Sequence, residues 1–167
     1  MRIPLLYKIG TVLLSVFAYL ILISMLLNVV KAGFQPIMLI VFFISSGVAI
    51  YITLCFKLNN IVNQQHTLPD RTRDWIKVNG FVGLVFALLM ILGCANFLSN
   101  PSIMDTILNN AYKEVSGDMQ EINFREILRA VIITLLIYSI LLIIHIISSL
   151  VYVGKYSKLF QNKPNTL

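Results

Sequence analysis

The sequence predicts an all-α fold: a polytopic membrane protein with a bundle of four transmembrane helices and an extracytoplasmic amphipathic helix. Three observations predict it. The chain is 58% hydrophobic and only 12% charged, about half the charge of an ordinary soluble domain. It holds four uncharged apolar runs, each close to the roughly 20 residues a helix needs to cross hydrocarbon. Its basic residues stand at the ends of those runs rather than in one patch, as the bias of membrane loops requires. The mean hydropathy of +0.86 agrees. The expected spans cover about 9–30, 37–56, 78–98 and 130–153, with a loop at 57–77 and a longer one at 99–129, in a single integral membrane domain over residues 1–167.

The first span follows Arg2 and Lys8, an arrangement that a signal peptide shares. Its apolar run is longer than a usual signal core, and Val30-Lys31-Ala32 makes a poor cleavage site, so retention is expected. Gly33 and Pro36 in the short Lys31–Pro36 connection stop one helix and start the next. A loop this short makes the first two spans antiparallel neighbours. Ser45, Ser46 and Gly47 at the middle of the second span permit close helix approach. Leu58, Ile61 and Val62 keep helical spacing, which extends that helix about two turns beyond Phe56. Thr67 is expected to cap the third helix, with Pro69 in its first turn. Trp75 falls at the interface, and Gly80, Gly83 and Gly93 suggest a closely packed third span.

The longest connection reads as a helix. Asn100-Pro101 has the pattern of an N-cap followed by proline. Ile103, Met104, Ile107, Leu108, Ala111, Tyr112 and Val115 then recur at helical spacing, and Gly117 stops the run. About four turns of amphipathic helix are expected on the membrane surface or across the end of the bundle. The fourth helix is expected to begin near Asn123, before its membrane segment.

Positive charge sets the orientation. With both termini in the cytoplasm, nine basic residues lie inside: Arg2, Lys8, Lys57, Arg71, Arg73, Lys77, Lys155, Lys158 and Lys163. Four lie outside: Lys31, Lys113, Arg125 and Arg129. The expected location is the inner (plasma) membrane, with the bilayer as one partner and another membrane protein, or a second copy, as the other. The distribution of charge gives no reason to expect nucleic acid.

Two groups of residues are candidates for function. Thr134, Tyr138, His145, Ser149 and Tyr152 form a polar stripe along the fourth span. Such a stripe faces protein or water rather than lipid, so it serves either as packing or as the lining of a small cavity or proton relay. On the outer helix, Asp105, Leu108, Asn109, Tyr112 and Lys113 form a candidate partner-binding surface. Neither His66 nor His145 has ligand-spaced Cys, Asp or Glu near it. Cys55 and Cys94 lie inside apolar runs with no CxxC, as small packing residues do. No phosphate loop, nucleophile elbow, HExxH or dinucleotide fingerprint occurs, so no catalytic residue, cofactor or metal is expected.

The layout is similar to that of small bacterial immunity proteins that protect against pore-forming toxins, and to several small bacterial membrane families. The resemblance rests on span number and loop placement and carries over no residue role. The expected function is non-enzymatic: an accessory subunit of a membrane complex or an immunity-type protector, acting through protein contacts. The alternative is a homo-oligomeric channel or small-solute transporter that uses the polar face of the fourth span.

Overall fold

The computed structural model describes residues 3–32, 36–64, 69–114, 124–157 and 160. These form five helices: α1 (Leu5–Ala32), α2 (Pro36–Gln64), α3 (Asp70–Ser99), α4 (Pro101–Glu114) and α5 (Phe124–Lys155). Four of them, α1, α2, α3 and α5, are long and apolar enough to cross a membrane. Their apolar side chains are abundant on the exterior: Leu6, Phe43, Phe81, Leu92 and Val151 are each more than 60% exposed. In water such surfaces would drive aggregation. In hydrocarbon they are the ordinary outside of a helix bundle.

The helix limits follow local chemistry. α2 runs to Gln64, about two turns beyond Phe56, because Leu58 and Val62 remain buried at helical spacing. α3 starts at Asp70, so Pro69 stands just before the helix and not in its first turn. The Pro69 carbonyl accepts the first turn's hydrogen bond from the Thr72 amide at 2.9 Å. Asp70 then meets the positive end of the helix dipole. Thr67, His66, Val115 and Gly117 lie outside the described residues.

α3 and α4 are separated by Asn100 alone. Its amide donates back to the Asn96 carbonyl at 3.1 Å, closing the end of α3. Its own carbonyl accepts from the Ile103 amide at 3.1 Å, opening α4. Asn100 thus stands at the N-cap position of α4 with Pro101 the first helical residue, as expected, while its side-chain nitrogen donates to Asn96 Oδ1.

The chain divides into two compact units, residues 1–87 with 141–167 and residues 88–140. The first unit holds α1, α2, the first part of α3 and the last part of α5. Small residues set its close contacts. A Cβ on Gly47 would meet Val82 Cγ1 at 2.9 Å, and one on Gly83 would meet Ile146 Cδ1 at 3.2 Å. Only glycine allows α2 and α3 to approach this closely at Gly47. Gly93 has no such neighbour within 4 Å.

The second unit packs Cys94 of α3, Met104 and Leu108 of α4, and Ile132 of α5 into one apolar cluster. Phe97, Leu128, Leu135 and Leu136 surround it. Asp105 pairs with Arg125 on the same unit's surface.

Candidate functional site

Three helices of the first unit carry polar residues one turn apart on a single face. These are Tyr7 and Thr11 on α1, Tyr51, Cys55 and Asn59 on α2, and His145 and Ser149 on α5. Residues at this spacing lie one above another on a helix. The three faces converge, and all seven side chains are buried.

His145 is the centre. Its Nε2 lies 2.9 Å from Thr11 Oγ1 and its Nδ1 3.0 Å from the Tyr51 hydroxyl. The Tyr51 hydroxyl also lies 2.6 Å from Ser149 Oγ, which is 2.6 Å from the Tyr7 hydroxyl. Asn59 Nδ2 donates to Thr11 Oγ1 at 3.3 Å, and Cys55 Sγ sits 3.6 Å from Ser149 Oγ. The Tyr7 ring stacks on the imidazole, with centroids 4.5 Å apart and planes 12° from parallel. Tyr51 meets the imidazole edge-on at 84°. Tyr152 completes the aromatic wall against Tyr7, with centroids 5.0 Å apart.

A hydrogen count assigns the direction of these bonds. The Thr11 hydroxyl donates its one hydrogen to the Tyr7 carbonyl at 2.9 Å. Thr11 Oγ1 must therefore accept from His145, which places the imidazole hydrogen on Nε2. In the neutral imidazole Nδ1 is then an acceptor, and the Tyr51 hydroxyl donates to it. Tyr7 donates to Ser149 Oγ, and Ser149 serves either Tyr51 or the His145 carbonyl, 2.8 Å away. With the imidazole neutral, the network stays buried without an ion to desolvate. Asn59 Oδ1 is buried with no hydrogen-bond partner among the described residues.

The stripe expected on the fourth span divides along its length. His145 and Ser149 join the network, and Tyr152 borders it through Tyr7. Tyr138 is buried at 2% exposure but belongs to the second unit. Thr134 is exposed, and its hydroxyl donates to the Ala130 carbonyl of its own helix at 2.8 Å. The candidate outer surface also divides. Leu108 is packed in the apolar cluster and Asp105 is paired with Arg125. Asn109 is exposed, whereas the side chains of Tyr112 and Lys113 lie outside the described part.

Sequence reading missed Tyr7, Thr11, Tyr51 and Asn59 and assigned Cys55 to packing alone. The signal was present: Tyr51, Cys55 and Asn59 repeat at the same one-turn spacing as His145 and Ser149. Tyr7 lies outside the expected first span, whereas α1 begins at Leu5; Asn59 lies on the expected extension of α2, where spacing alone names no partner.

Among the described residues no group of three or more His, Cys, Asp or Glu side chains gathers as metal ligands would. Both ring nitrogens of His145 are already engaged by hydroxyls. The chain matches no protein-family model, no curated protein and no solved structure.

Proposed function

We propose that this chain is a four-span inner-membrane protein with both termini in the cytoplasm, acting without catalysis through contacts with another membrane protein. An accessory subunit of a larger complex and an immunity-type protector are the two forms of this role. The observation that carries the reading is that His145, Ser149, Tyr51 and Thr11 satisfy one another inside a single subunit. A pore or solute path along the fourth span would need those same groups to face water.

The outward residues of α4 are the proposed contact surface. The reading is supported by the two sides of α4: Met104 and Leu108 are buried, while Thr106, Ile107 and Asn109 are exposed. It stands outside the membrane if the basic loops lie inside. Contact surfaces of this kind combine an apolar residue with polar neighbours.

Co-purification from membranes in mild detergent, with mass determination, tests the proposal. The native chain should be recovered with a second protein. Ile107→Glu combined with Asn109→Arg should lose that protein while insertion and unfolding temperature stay unchanged. Recovery of the chain alone, or a partner retained by the double variant, would overturn the proposed surface.

A further inference from the structure

A groove of about 480 Å³ runs between α1 and α5 beside the His145 network. This is within the roughly 300–1,000 Å³ span of small-ligand sites. Its walls are Leu6, Ile9 and Leu13 on one side and Leu141 and Ile144 on the other, all exposed. Its floor is Gly10, where the missing side chain uncovers the edge of His145, with a built Cβ 3.6 Å from His145 Cδ2. Ser148 and Tyr152 line the same groove further along α5.

The direction of the groove has chemical meaning. Its apolar walls face sideways, toward whatever solvates the other exposed leucines and isoleucines. Beyond Tyr152, about one turn further along the same face of α5, stands the exposed Lys155. Lys155 follows His145 by roughly 15 Å of helix rise. An apolar slot with an exposed ammonium group about one turn beyond it is complementary to a molecule with a hydrocarbon tail and an anionic head.

We propose that this groove holds one acyl chain of an anionic phospholipid from the inner leaflet, with its phosphate against Lys155. The inference rests on the membrane orientation above but not on the contact role of α4. Gly10 is the gate: a side chain much larger than a methyl group there fills the space that the chain occupies. Lys155 supplies headgroup preference and not chain affinity.

Lipid retention measured by native mass spectrometry tests this directly. The detergent-purified protein is mixed with phosphatidylglycerol or phosphatidylcholine of identical chains. The native protein should retain phosphatidylglycerol about fivefold better, the factor one basic side chain supplies near an anionic surface. Lys155→Gln should bring the two lipids to parity. Gly10→Leu should reduce retention of both lipids, and Gly10→Ala should not, since its Cβ makes only ordinary contact. Ile144→Trp blocks the groove from the opposite wall and serves if the leucine variant does not fold. Equal retention of the two lipids by the native chain, or undiminished retention by both blocked variants, overturns the proposal. A dimer that Gly10→Leu dissolves places a second copy in the groove and overturns it equally. Loss of the α4 partner has no bearing on either lipid reading, so the two proposals fail separately.

Discussion

The two units use the same kinds of apolar helix but join them by opposite means. In the first, α1, α2 and α5 meet through hydroxyls, an imidazole and an amide. In the second, α3, α4 and α5 meet through Cys94, Met104, Leu108 and Ile132. On the proposed topology the difference follows from the surrounding solvent. Between helices in hydrocarbon, leucine gains little by leaving lipid for protein, so directional bonds and close fit decide which faces pair. If α4 lies outside the membrane, as proposed above, water lies nearby and apolar burial regains its driving force. Geometry therefore specifies the first unit, and volume specifies the second.

Substitutions that separate hydrogen bonding from volume sharpen this contrast. The largest effect is expected for His145→Ala, which leaves a cavity and strands Thr11 and Tyr51. It should cost about 3 kcal/mol of stability, read by unfolding in mixed micelles. Tyr51→Phe keeps almost all the volume but removes the hydroxyl shared by His145 Nδ1 and Ser149, and should cost about 2 kcal/mol. Leu108→Met also keeps volume, but in the second unit it breaks no bond; its cost should stay near 1 kcal/mol. If Leu108→Met proved the more damaging of this pair, the assignment of geometry to one unit and volume to the other would be wrong. The smallest effect is expected for Asp105→Asn. Its ion pair with Arg125 is about half exposed on both sides, and such pairs contribute about 0.5 kcal/mol or less.

How much of this was legible in the sequence depends on the length scale. The four long helices and the extra helix after Asn100 follow from hydropathy and periodicity, which act within one helix. The buried fate of His145 and Ser149 also follows, because a polar stripe avoids lipid. Their partners did not follow. Which faces of α1 and α2 meet α5 is a long-range matter, and a tyrosine just before an apolar run looks like an interface residue until the helix is seen to include it. Tyr7 is that case. Thr134 shows the opposite error: its hydroxyl satisfies itself on the Ala130 carbonyl and can face outward. Threonine in a stripe is thus weaker evidence of a buried face than histidine, whose two ring nitrogens cannot both be served by its own backbone. Leu108 was placed on a contact surface from spacing alone, and the cluster with Ile132 and Cys94 shows which side of α4 it occupies.

The central claim is that the polar network is a dry, internal joint of one subunit, and Cys55 reports on it without any change to the network. Its thiol is 0% exposed and lies beside Ser149. In a Cys94→Ala background, intact membranes are treated with a membrane-impermeant thiol reagent from each side and the protein is then denatured and probed. The account predicts no modification of Cys55 before denaturation and complete modification after it. Rapid labelling of Cys55 in the folded protein would mean that water reaches the His145 network, and a solute path would replace the joint.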